Sequence, residues 1–307
     1  MKMKQKTIFA LALSGALQSF AGGIAADRDL DGLLIAAEQK SQSVVVFDGR
    51  SAGPHPYLWQ WKAGADPNVA KSDVRYFGYT AECKVVRSGD AQSVIMVGSS
   101  GGFAEISFPG GKALCYGVVN LSPHSVAKLP GEMKYAIASA VSNELTIVDC
   151  AADPFRPDKQ PKRIYRLWDA HGVEWDAARN CLWGLGRDRI VKYAWHSDRF
   201  ELETLTEYLI PEDCGKGGHD LLPDGKGGYI FSTSQRLCRF DPDSARFEPI
   251  CQEKEIKSFS LSAKWGDATV KTREVWWTDR VIIRKDGKER IAGPYPGARF
   301  YKARWMK

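Results

Sequence analysis

His219-Asp220-Leu221-Leu222-Pro223-Asp224-Gly225, then Gly228-Tyr229-Ile230-Phe231-Ser232-Thr233, then Leu237-Cys238-Arg239-Phe240-Asp241 follow one another within 23 residues. Each run is short and rich in apolar, aromatic or hydroxyl residues, and Pro, Asp, Gly and Ser separate them. That is the pattern of strands joined by tight turns. The last run recurs along the chain as Val44–Gly49, Ala104–Pro109, Leu145–Asp149, Val191–His196 and Val281–Asp286. Its closing turn residues, 48, 109, 149, 196, 241 and 286, are 61, 40, 47, 45 and 45 residues apart. Six copies near one period predict a repeat architecture.

A more apolar strand precedes each copy: Leu33–Ala37, Val94–Gly98, Tyr135–Ser139, Cys181–Leu185, Tyr229–Thr233 and Val275–Thr278. These runs lack polar–apolar alternation, as expected of strands covered on both faces. More polar runs such as Tyr57–Lys62, Arg163–Leu167 and Lys288–Ala292 follow several copies. Ahead of five apolar strands lies a further one, beginning at Cys83, His124, His171, His219 and Phe259. The first repeat lacks this piece, and Phe300–Met306, with Tyr301 in the matching place, supplies it from the other end. No long stretch has helical periodicity. The fold expected is all-β, a six-bladed β-propeller with four antiparallel strands per blade, its ring closed when the C-terminal strand joins the N-terminal blade.

The stretch from His219 to Thr233 resembles blades of six-bladed propellers of the NHL and gluconolactonase-like kind. The whole chain looks like an uncharacterised family of exported propellers from Bacteroides-type bacteria. It carries no WD, kelch or YWTD consensus. The resemblance implies architecture and leaves the reaction open. Because some propeller lyases and cyclic-ester hydrolases use histidines at the channel mouth, it also makes a lyase or hydrolase an option.

Lys2, Lys4 and Lys6, an apolar run from Ile8 to about Phe20 and small residues through Ala26 read as a signal peptide. The expectation is therefore one propeller domain over 27–307, exported to the periplasm or cell surface of a Gram-negative bacterium. No stretch is apolar for long enough to span a bilayer. Three of the 43 basic residues belong to the signal segment, leaving 40 against 37 acidic ones. Such a balance is no footprint for nucleic acid. Seven cysteines show no C-x-x-C or zinc-ribbon spacing. Small buried thiols are the favoured reading, with one or two disulfides of unassigned pairing as the alternative.

Aligning the six innermost strands puts Cys83, His124, His171, His219, Phe259 and Tyr301 at one repeat position, where a ring would surround the channel mouth. The three histidines are 47 and 48 residues apart, one blade each. Three imidazoles there could cap strand ends, or bind a divalent metal such as Mn, Zn, Ni or Fe. Glu82, Glu174 and Asp220 are the neighbouring carboxylates that could serve as base. Lys84 and Lys302 could make the mouth cationic, and Trp175 could stack on a sugar. The chain is thus expected to bind a small polar or carbohydrate ligand, a glycan included, at the channel mouth. A metal-dependent lyase or hydrolase using the three histidines is the alternative, and a scaffold for a protein partner the third reading.

Overall fold

The computed structural model describes residues 30–272 and 275–306. The expected signal segment, 1–26, lies outside them. The described residues form six four-stranded antiparallel sheets. Blade 1 contains Leu33–Glu38, Ser43–Asp48 and Trp59–Trp61. Its innermost strand is Phe300–Trp305, which pairs antiparallel with Leu33–Glu38, so that Leu34 faces Trp305 and Ala36 faces Ala303. Blades 2 to 6 are contiguous, and their innermost strands are Thr80–Ser88, Pro123–Lys128, Gly172–Asp176, Gly218–Pro223 and Ile256–Ser260. Each innermost strand neighbours the next around a full circle, Phe300–Trp305 lying between those of blades 6 and 2. The ring is closed as the repeat pattern predicts.

The apolar residues explain why the blades stack. Six buried clusters fill the six seams. Leu33, Ile35 and Val46 meet Cys83, Val94 and Met96 between blades 1 and 2. On the other side of the same blade, Leu34, Ala36 and Val45 meet Ala268, Val270 and Ile283 of blade 6. Successive residues of one strand therefore feed opposite seams, which removes the need for a polar face. Ala81 and Ile95 meet Val126 and Ile137 between blades 2 and 3, Leu145 meets Leu182 between 3 and 4, and Trp183 meets Phe231 between 4 and 5. The sparsest cluster joins blades 5 and 6 through Ile230, Leu237 and Ile256.

The long connection between Trp59–Trp61 and Thr80–Ser88 packs into the core. Ala63, Val69 and Phe77 enter the first seam, and the Asp66 carboxylate accepts from Trp61 Nε1 at 2.7 Å and from the Ala113 amide at 2.6 Å. One strand differs from expectation. The second strand of blade 6 is Asp267–Lys271, and Val275–Thr278 belongs to the loop after it. Ala268 and Val270 reach the seam, whereas Val275 and Trp276 are exposed.

Trp305 is buried between blades 6 and 1 and donates from Nε1 to Gly266 O at 2.8 Å. Its replacement by Ala is expected to cost about 3–5 kcal/mol, the range for a large aromatic removed from a packed core. Urea denaturation reads this as a lower midpoint. A loss under 1 kcal/mol would mean that the terminal strand is not part of the cooperative unit.

Candidate functional site

The rim of the channel is built from one irregularity repeated around the ring. In five blades the innermost strand carries an extra residue near its start that the pairing register skips. These residues are Ala81, His124, His219, Lys257 and Tyr301. In blade 4 the matching residue is His171, whose amide donates to Leu185 O at 2.9 Å. Such bulges re-aim side chains at strand ends. Two residues earlier the backbone is left-handed in each of blades 2 to 6, at Tyr79, Ser122, Asp169, Gly217 and Glu255.

The three histidines stand side by side at this rim. Ring centroids of His124 and His171 are 4.6 Å apart, those of His171 and His219 5.3 Å, and Tyr301 meets His124 edge-on at 5.6 Å. Cys83 and Phe259 do not join them. The register puts Ala81 and Lys257 in their places. Cys83 is buried in the seam between blades 1 and 2, and Phe259 is half-buried against the seam between blades 5 and 6. Cys83 and Phe259 lie two residues beyond the bulge, where the strand has returned to regular pairing and its side chains alternate into the seams.

Hydrogen bonding fixes the tautomers. His124 Nδ1 is 2.7 Å from Ser122 O, and His171 Nδ1 is 2.9 Å from Asp169 O. A carbonyl only accepts, so Nδ1 carries the proton in both rings. The left-handed residue turns its carbonyl back onto the imidazole two positions later. His219 Nε2 accepts from the Lys257 ammonium at 3.1 Å, and its buried Nδ1 has no partner. Burial pushes His124 down to about 3, with His171 beside it adding to the effect. Burial, then Lys257, holds His219 well below the ordinary imidazole range. His124 and His219 are neutral at pH 7, and His124 keeps an Nε2 lone pair for accepting. Because Lys257 already occupies His219 Nε2, the three rings do not present a common set of lone pairs. Among the described residues no group of three or more His, Cys, Asp or Glu is placed to hold a metal ion.

Beneath the rim the channel is filled by charge. Arg304 donates to both oxygens of Asp220, at 2.7 and 2.8 Å, and to Glu82. Lys302 reaches Asp220 at 3.1 Å, Glu82 at 3.4 Å and the carbonyl of His124 at 3.2 Å. Lys84 pairs with Glu174 at 2.6 Å and donates to Val173 O at 2.8 Å. Ser125 donates to Glu82 at 2.7 Å, and Asp220 accepts from the Phe259 amide at 3.1 Å. All six innermost strands take part. Burial alone would raise Glu82 and Asp220, but Arg304 and Lys302 outweigh it and hold both carboxyls below the usual range. At Glu174, burial outweighs the pull of Lys84 and raises the carboxyl. The carboxylates expected beside the ring are thus engaged inside the channel, and Lys84 and Lys302 are their counter-ions. Trp175 is half-buried against the seam between blades 3 and 4.

A cavity of about 350 Å³ opens at the rim beside His124 and Tyr301, and is completed by Gln39, Tyr79, Ser99, Ser122 and Trp276. Trp276 and Tyr79 are each 55% exposed, and the Trp276 indole is held by a 3.1 Å bond to Gln39 Oε1. Neither aromatic was singled out as a rim residue by the repeat pattern. Trp276 was hidden by its resemblance to strand sequence, and Tyr79 by lying before the strand. The left-handed backbone at Tyr79 leaves no trace in residue type.

Two outcomes follow. Arg304→Met leaves Glu82 and Asp220 buried without their main cation and is expected to cost about 3–5 kcal/mol by urea denaturation, the range for breaking a buried pair. Stability is also expected to fall from pH 7 towards pH 4. The unfolded chain takes up protons on His124 and His219 near their ordinary pKa of about 6.5, and the folded chain, with both held lower, does not. His124→Gln with His219→Gln should flatten that slope in thermal unfolding measured across the range. An unchanged slope would contradict the neutral-imidazole assignment.

No curated protein matches the chain in sequence. Among solved structures, the β-propeller domain of Myceliophteria thermophila Cps50 (Swd1) is similar at 11% identity and a TM-score of 0.54, covering 85% of each chain. A functionally unknown protein from Desulfotomaculum acetoxidans is similar at 10% identity and a TM-score of 0.52, covering 87% of this chain and 96% of that one. Kuenenia stuttgartiensis hydrazine synthase gives a TM-score of 0.43 at 10% identity, and the match spans 65% of this chain and 61% of the synthase chain. The first two likenesses bear on the fold alone. The model described as "Family of unknown function (DUF6528)" matches residues 29–307, and the chain, a six-bladed β-propeller, belongs to that family.

Proposed function

We infer that this propeller binds a small, uncharged polar ligand of sugar type in the cavity beside His124. The observation that carries the reading is the composition of the cavity wall. Tyr79, Trp276 and Tyr301 offer aromatic surface, while Gln39, Ser99, Ser122 and His124 offer uncharged hydrogen-bonding groups. A sugar ring needs both kinds of surface, apolar C–H faces against aromatics and hydroxyls against donors and acceptors. His124 suits a hydroxyl, because its Nδ1 proton is committed to Ser122 O and its Nε2 is left to accept. The cations nearest below, Lys302 and Arg304, are already paired with Glu82 and Asp220, so little charge remains to select an anion. A volume near 350 Å³ is at the small end for ligand sites, which favours one or two rings over a polymer.

A second reading, a protein-binding platform, rests on Leu121, Val141 and Trp168, exposed by 65%, 72% and 54% on loops of the same face.

Titration of the chain with a panel of neutral mono- and disaccharides, followed by calorimetry, tests the first reading. One member at least is expected to bind saturably. Trp276→Ala should then weaken it tenfold or more, and Trp168→Ala, on the same face outside the cavity, should leave it within twofold. No binding across the panel, or equal losses in both variants, would sink the reading.

A further inference from the structure

We propose that the chain has a second ligand site, a groove on the flank of the ring between blades 2 and 3 that takes an uncharged polyhydroxylated ligand. The groove has a volume of about 440 Å³ and shares no lining residue with the cavity beside His124. The two sites therefore stand or fall separately.

Departures from the repeat lead to it. Connections in compact domains are mostly short, yet two here are long. Residues 62–79 run between Trp59–Trp61 and Thr80–Ser88, and residues 150–161 between the third strand of blade 3, Glu144–Asp149, and its outer strand, Lys162–Arg166. They are the longest connections among the described residues, and they converge on one place. The first brings Asp73 and Tyr76 to the groove, and the second Pro157 and Asp158. In repeat proteins such insertions collect where ligands bind.

Both walls are fastened to Tyr116, on the outer strand of blade 2, Ala113–Val118. The Tyr116 hydroxyl donates to Asp73 at 2.9 Å. Its amide donates to Pro154 O at 2.9 Å, and its carbonyl accepts from the buried Gln160 amide at 2.7 Å. Gln160 also reaches Asp153 O at 3.0 Å. The groove is thus held open in advance of any ligand, which lowers the ordering cost of binding.

Thr146, in the third strand of blade 3, lines the same groove. It is 2% exposed, and its hydroxyl has no hydrogen-bond partner. Buried hydroxyls are as a rule paired, and one left alone is destabilising. A ligand hydroxyl in the groove supplies the missing partner. The other groups suit the same chemistry. The Tyr76 hydroxyl accepts from Arg75 at 2.9 Å and keeps its own proton to donate. Asn120 donates from Nδ2 to Glu144, which leaves its carbonyl oxygen to accept. Lys162 donates to Pro157 O at 3.1 Å and has further protons to give. Its charge stands against Asp73 and Asp158, so the wall has no surplus cation to select an acid. Ile164, 56% exposed, offers an apolar surface for C–H groups.

The test is calorimetric titration with glucose, galactose, mannose and cellobiose. The groove is read in the Trp276→Ala chain, where the mouth is impaired, and the mouth in the Tyr76→Ala chain. At least one of the four sugars is expected to bind the Trp276→Ala chain saturably. Adding Tyr76→Ala should weaken that binding about tenfold, and adding Thr146→Val about fivefold. Because Thr146→Val removes an unpartnered hydroxyl, its unfolding midpoint should be unchanged or higher, which separates lost recognition from lost folding. No binding to the Trp276→Ala chain by any of the four sugars would overturn the groove site. So would binding that stays within twofold in both added variants. Failure of the mouth shows differently, as binding by the Tyr76→Ala chain that Trp276→Ala does not change.

Discussion

Phe300–Trp305 is the strand on which the molecule depends. A ring of blades closes only when its last unit is joined to its first, and here the join is a ladder between the two ends of the chain. The same six residues do three things at once. Ala303 and Trp305 fill the seam with blade 6. Lys302 and Arg304 supply the cations that neutralise Glu82 of blade 2 and Asp220 of blade 5. Tyr301 leans into the seam between blades 2 and 3 and meets His124 at the rim. Closure, charge balance in the channel and the shape of the mouth are therefore coupled through one short strand.

The coupling also explains how so much charge is tolerated in the interior. Burying Glu82, Asp220, Lys302 and Arg304 carries a large desolvation cost, which mutual pairing offsets only when every group is engaged. Ser125 and the amide of Phe259 add further bonds to carboxylate oxygens that Lys302 and Arg304 already hold. Serines of blade 6 add to the hold on the closing strand, Ser258 accepting from the Ala303 amide and Ser260 from the Trp305 amide. These bonds tie neighbouring blades at the narrowest part of the ring, where aliphatic side chains would have little room to interdigitate.

The fold was legible in the sequence because its cause is periodic. The third strand of each blade ends at the same kind of turn, and the terminal strand matches a visible gap in the first repeat. The rim was legible only in part. His124, His171 and His219 fall one blade apart and do meet. Ala81 and Lys257 were missed because neither residue type marks a rim position, and the apolar Cys83 and Phe259 two residues further on matched the strand pattern instead. The misread strand at Val275–Thr278 has a similar origin. Its Val-Trp-Trp-Thr run has β-type composition, but the seam had already been filled by the less conspicuous Ala268 and Val270. Ion pairing in the channel was invisible because its partners are scattered from residue 82 to residue 304.

The filled channel makes the mouth a blind well rather than one end of a tunnel. The buried network of Glu82, Asp220, Lys302 and Arg304 stands between it and the opposite face of the disc. Variation on one face can then proceed without consequence for the other, and a single chain can present two independent surfaces to its surroundings.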